Sequence, residues 1–177
     1  MLNAKVPILG FAAFSGAGKT TLLAKLIPLL VQQHIYPGLI KHSHHNFQID
    51  KPGKDSFKLR EAGASPIMLV SKYRRAVITE FKNPQEPRLA DQLDALDQSK
   101  LDLILVEGFK SENFPKIEIY RPELKSPLLY PKDPSIIAIA SDAELVVPEH
   151  IRRFDLNNPQ KIATFIINEF MGRSVDQ

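Results

Sequence analysis

The stretch Phe14-Ser15-Gly16-Ala17-Gly18-Lys19-Thr20-Thr21 constrains this chain more than any other. It follows an apolar run from Pro7 to Ala13 and opens a helical apolar pattern from Leu22 to Val31. Strand, small-residue loop, Gly-Lys-Thr and helix, in that order, is the setting of a phosphate-binding loop. Glycines let successive backbone N–H groups turn inward around an anion. The helix that follows aims its unsatisfied N–H groups and positive dipole end at the same point. Ser15, Gly16, Ala17, Gly18, Lys19, Thr20 and Thr21 are therefore expected to hold phosphates. Lys19 would act as a point charge on the outer ones, and Thr20 would ligate a bridging Mg2+. Ala13 stands where the general pattern has its first glycine, so the loop must be entered at negative φ. The motif leaves ATP and GTP open, and equally kinase, GTPase and switch.

The rest of the chain supplies the sheet such a loop needs. Apolar runs at 6–14, 38–42, 67–70, 76–79, 101–107 and 136–140 read as strands. Helical patterns fall at 20–33, 56–62, around Leu89, Leu93 and Leu96, and after Asn158 and Pro159. Pro28 removes a hydrogen bond from the first helix and is expected to kink it. Strands alternating with helices, several of them continuously apolar, predict an α/β fold: a mostly parallel twisted sheet with helices on both faces, of the P-loop NTPase type. Residues 1–177 read as one domain. Lys116 to Tyr120 alternates charged and apolar residues and is expected at the edge side of the sheet, charges outward. Arg121 to Pro134 holds four prolines and reads as a long loop. In this architecture the ligand lies beyond the carboxyl ends of the strands.

Chemistry-bearing residues collect at those ends. Leu101 to Gly108 looks like a Walker B strand, with Glu107 as the terminal acid beside Mg2+; Asp102 is at the wrong end. Glu107 would also orient a water, and Gly108 would offer its N–H to a γ-phosphate. Asp50 and Asp55 lie in the loop after the second strand, which in this fold borders the γ-phosphate. Asp50 would serve there as a base; an exposed turn with Asp55 capping a short helix is the equal alternative. Asp142 follows the strand 136–140, where a carboxylate would accept N1–H and the exocyclic amine of guanine. The Asn-Lys-x-Asp guanine motif is absent. His42, His44 and His45 form an unusual cluster that would suit a metal, although no carboxylate stands at ligand spacing.

Composition removes other classes. Without cysteine there is no disulfide, thiolate chemistry or Cys-ligated zinc or iron–sulfur site. No apolar run approaches the ~18 residues of a membrane span. The apolar N-terminus runs straight into the loop, so a cleaved leader would delete the first strand. A cytoplasmic protein is expected. Net charge is +3, with basic and acidic residues interspersed, which gives no nucleic-acid footprint.

The residues quoted now form a combination. Phe11 through Leu23, then Gly38-Leu39-Ile40-Lys41-His42-Ser43-His44-His45, Asp50-Lys51-Pro52-Gly53-Lys54-Asp55-Ser56, Leu101 through Lys110 and Ile137 through Asp142 resemble the MobB family of molybdopterin-guanine dinucleotide biosynthesis proteins. The resemblance spans nearly the whole chain. It implies a P-loop protein that binds GTP and Mg2+, forms homodimers and is a slow GTPase at most. It implies an adapter to the guanylyltransferase that joins GMP to molybdopterin, with molybdopterin or its guanine dinucleotide as a further partner, and without nucleic acid or membrane. Phosphate-loop roles carry onto Gly16, Gly18, Lys19, Thr20 and Thr21. Phe14 stands where the signature lysine of deviant Walker A ATPases would be, which argues against their trans-lysine mechanism. No arginine finger is evident, in keeping with slow turnover. A P-loop small-molecule kinase using Asp50 or Asp55, and a metal-insertion GTPase using the histidines, are the alternatives.

Overall fold

Six strands run parallel in one sheet. They are β1 (Ile8–Ala12), β2 (Pro37–Lys41), β5 (Leu103–Glu107), β6 (Lys116–Tyr120), β7 (Ile136–Ser141) and β8 (Arg152–Asp155). Their order is β2-β5-β1-β6-β7-β8, and the inner strands β1, β5 and β7 are apolar on both faces. The structure is a computed structural model that describes residues 3–43 and 46–173.

Two-residue periodicity assigns the layers. Leu9 and Phe11 of β1, Leu103 and Leu105 of β5, and Ile117 and Ile119 of β6 face one side. There they meet Leu22, Leu23, Leu26 and Leu30 of α1 (Lys19–Gln32) and Ile162, Ala163 and Phe165 of α4 (Pro159–Phe165). Ile8, Ile104 and Val106 face the other side, against Leu89 and Leu93 of α3 (Leu89–Ala95), with Phe109 and Phe114. Helices thus cover both faces, as a parallel sheet requires. Pro28 does lie inside α1, on its exposed side. Asn158 caps α4, its side chain accepting from the Lys161 N–H, and Pro159 occupies the first turn. A π-turn, Ile166–Phe170, continues the helix.

The expectation for Lys116–Tyr120 needs correction. The strand is central, paired parallel with β1 and β7. Its two charges are buried, each about 1% exposed. Lys116 Nζ donates to the Glu112 carbonyl at 2.6 Å, Ser135 Oγ at 2.7 Å and Asp133 Oδ2 at 3.0 Å. Glu118 accepts from the Leu129 and Tyr130 N–H groups at 2.7 and 2.9 Å. Burial of a charge is tolerable when its hydrogen-bonding capacity is used in this way. The loop after β6 supplies most of these partners, so it is tied down over the strand. The edges are instead β2 and β8, and the sequence of β8 carries too little apolar pattern to predict a strand.

Two compact units divide the chain: residues 1–42 with 87–177, which hold the parallel sheet, and Ser43–Glu86. Within the second unit, β3 (Ile67–Val70) and β4 (Arg75–Ile78) form an antiparallel hairpin, with Met68 opposite Val77. Its helix is α2 (Asp55–Glu61), from which Arg60 pairs with Glu80 at 2.7 Å. Much of this unit's apolar surface is uncovered, notably Phe47, Ile49, Met68, Val70, Tyr73, Val77 and Phe81.

Candidate nucleotide site

The carboxyl edge of the sheet gathers the chemistry. The loop after β1 turns at Gly16 and Gly18, with φ of 80° and 94°, values open to glycine and costly for other residues. Gly18 is the residue that caps α1, and its carbonyl accepts from the Leu22 N–H at 2.9 Å. The N–H groups of Lys19, Thr20 and Thr21 then head a fourteen-residue helix whose first turn carries no acid. A left-handed glycine pair before a helix start makes a concave array of donors that fits an anion. Ala13, at the loop entry, is not among the residues with positive φ. Ser15, Gly16, Thr20 and Thr21 are exposed, and Ala17 is buried.

Lys19 reaches back over this loop, its ammonium 3.4 Å from the Ala13 carbonyl. Burial lowers its pKa from the ordinary 10.5; Glu107 opposes the shift, while Lys110 and Lys41 add to it. Lys110 lies over the Phe14 ring at 5.3 Å. Three lysines therefore share the neighbourhood of the loop with one acid.

That acid, Glu107, ends β5 beside β1 and β2, in register with Phe11 and Lys41. It is buried, and Lys41 Nζ stands 3.1 Å from its Oε2. A carboxylate held at a strand end and already facing a cation fits the support of Mg2+ together with the Thr20 hydroxyl. Gly108 follows at φ 99°, and a Cβ there would come within 2.7 Å of the His42 Cβ, so only glycine lets the ends of β5 and β2 approach. His42 donates its N–H to the Glu107 carbonyl at 2.8 Å, and its ring lies 4.9 Å from Phe109. His44 and His45 lie outside the described residues. Among the described residues no group of three or more His, Cys, Asp or Glu is placed to hold a metal ion.

Asp102 sits at the opposite end of β5, as expected. It accepts from the Tyr36 N–H at 3.0 Å, the main cause of its lowered pKa, and from Arg173 at 2.9 Å. Asp50 and Asp55 belong to the second unit. Asp50 is buried and accepts from the Ser56 hydroxyl at 2.8 Å; Asp55 opens α2 and lies 3.7 Å from Lys58.

Asp142 follows β7 and lines a cavity of about 630 Å3, with Ser141, Ala143, Leu145, Phe154 and Asn157 among its walls. Its carboxylate accepts from Arg121 Nη1, and Arg121 Nε donates to the Ala17 carbonyl at 3.2 Å. Arg121, which opens the proline-rich loop, belongs to no motif in the sequence. Its place directly after a strand, at the sheet's carboxyl edge, was the available signal.

Comparison with known proteins finds relatives in sequence and in fold. A family model described as molybdopterin guanine dinucleotide synthesis protein B, MobB, matches residues 8–142. The molybdopterin-guanine dinucleotide biosynthesis adapter protein of Escherichia coli K12 is 46% identical over 163 residues, 92% of each chain. The protein of the same name from Haemophilus influenzae is 44% identical over 169 residues, 94% of this chain and 91% of that one. The crystal structure of a MobB homolog from Bacillus stearothermophilus superposes with a TM-score of 0.69 at 22% identity, covering 94% of this chain and 99% of the other. Among the described residues no helix is long and apolar enough to cross a membrane.

Proposed function

For a chain that belongs to the MobB family, we propose a GTP-binding adapter that serves the guanylyltransferase making molybdopterin guanine dinucleotide, with slow GTP hydrolysis at most. One observation carries the nucleotide half of this reading: left-handed Gly16 and Gly18 at the head of α1, whose Lys19 feels the charge of the strand-end acid Glu107. The loop amides and Lys19 hold the phosphates. Thr20 and Glu107 would hold Mg2+, which would supply charge neutralisation to the phosphates. Asp142 accepts from guanine. The adapter half rests on the relatives' shared name and on their identity across nine-tenths of the chain.

A nucleotide held at the carboxyl edge would lie where a partner can read it. Molybdopterin or its dinucleotide is the cargo of that encounter. A homodimer completes the reading, supported by the uncovered apolar hairpin of Ser43–Glu86. Co-purification with the guanylyltransferase, with and without GTP, tests the adapter role. Association is expected and should respond to GTP; no association in either state removes it.

A further inference from the structure

Resting on the GTP-binding reading above, we propose that Arg121 is a positioning residue that links base recognition to the phosphate loop. Its guanidinium has two acceptors of different character. Nε donates to the Ala17 carbonyl, inside the loop, at 3.2 Å. Nη1 donates to the carboxylate of Asp142, on the wall of the neighbouring cavity. The group also lies along the loop backbone: a Cβ on Gly18 would be 3.7 Å from Nη2 and 3.8 Å from Nε. A guanidinium is a planar fork whose donors have fixed relative directions. Holding Ala17 therefore fixes the direction in which Asp142 is held, and the reverse.

The ligand's chemistry makes this link useful. Phosphates fill the loop at 16–21, and the base reaches the pocket beside Asp142. With one carboxylate oxygen held by Arg121, the other remains to accept from guanine's N1–H and exocyclic amine. Adenine offers no such donor pair at that edge. A free carboxylate would sample several rotamers and discriminate less; a hydrogen-bonded one is set before the ligand arrives. Linkage is reciprocal, so an occupied loop tightens the base site and an occupied base site tightens the loop. The chain lacks the Asn-Lys-x-Asp motif. The pair Arg121–Asp142 joins two strand ends, β6 and β7, to do the same work.

Calorimetric titration of the full-length protein with GTP and with ATP tests this in wild type, Arg121→Gln, Arg121→Lys, Asp142→Asn and the Gln/Asn double variant. Wild type should prefer GTP. Arg121→Gln should lower the GTP-over-ATP ratio about tenfold or more, the scale of one hydrogen bond to a charged group. Arg121→Lys, with charge but no fork, should fall between, and it carries the test if the Gln variant does not fold. The double variant should discriminate no worse than Asp142→Asn alone, because the two residues act as a unit. Equal loss of GTP and ATP affinity with an unchanged ratio would make Arg121 a mere brace and overturn the proposal. A wild-type protein without preference for GTP would overturn the GTP reading itself, and this proposal with it.

Discussion

Lys41 Nζ stands 3.1 Å from Glu107 Oε2, on neighbouring parallel strands whose register puts these two residues side by side. The lysine is half exposed, while the carboxylate is 11% exposed. A half-exposed ammonium thus neutralises a nearly buried acid at the place where a magnesium ion would be supported. Such a cation can swing aside, because its other half is in water.

The exchange predicts how Mg2+ affects nucleotide binding. In the wild type, Mg2+ should strengthen GTP binding. Glu107→Gln should reduce that gain by about tenfold, the scale of one charge-assisted contact. Lys41→Gln should keep or enlarge the gain, since Mg2+ no longer competes with the ammonium. Calorimetry with and without Mg2+ reads both, and an undiminished gain in Glu107→Gln would take that acid out of the site.

Lys19 predicts a proton signature. Burial holds its pKa below 10.5 in the folded chain. A depressed lysine contributes stability at pH above its unfolded value, and that contribution is lost as pH falls through the folded one. Triphosphate restores the charged form, so binding should take up protons on the alkaline side. GTP titrations near pH 9 in buffers of different ionisation enthalpy should show the uptake. Lys19→Met should abolish it and weaken binding by about 100-fold, roughly 2.7 kcal/mol.

Glu118 predicts a stability trend with the opposite slope. Burial raises its pKa above 4.5, Asp133 adds to the rise, and the N–H groups of Leu129 and Tyr130 oppose it. The contribution of a raised carboxyl is full below its unfolded pKa and fades as pH climbs through the folded value. Glu118→Gln keeps one accepting oxygen where two N–H groups need one each, at a cost of about 1–3 kcal/mol. Thermal melts should show the largest deficit in acid, narrowing toward neutral pH.

The hairpin predicts an oligomer. Met68 and Val77 oppose each other across β3 and β4 and are 58% and 52% exposed. Sedimentation equilibrium should find dimers of the wild type. A Met68→Lys/Val77→Lys variant should sediment as a monomer with its GTP affinity retained.

How much of this was legible depends on where each element's partners lie. The phosphate loop announces itself because Gly16, Gly18, Lys19 and Thr20 are neighbours in the chain. Strand β5 does so because both of its faces are apolar, and the Asn158-Pro159 start of α4 is a local rule. The misplacement of β6 has a physical origin. Lys-x-Glu-x-Tyr alternation is what a half-solvated strand also shows. The groups that let Lys116 and Glu118 be buried lie up to nineteen residues away, at Glu112, Leu129, Tyr130, Asp133 and Ser135. Strand β8, with Phe154 as its lone apolar residue among Arg152–Asp155, carries almost no periodic signal. Arg121 was hidden for a similar reason: both of its acceptors come from other strand ends.

The strand order has a consequence in time. Ile8 of β1 pairs with Ile104 of β5, and Gly10 with Lys116 of β6. A chain leaving the ribosome displays its glycine loop first, yet that loop has no strand beside it until most of the sequence has been made. Entropy of long-range closure then sets the pace of assembly. On the GTP-binding proposal, nucleotide binding would be a late event of synthesis, and a prematurely terminated chain that still carries Ser15–Thr21 should be silent toward GTP.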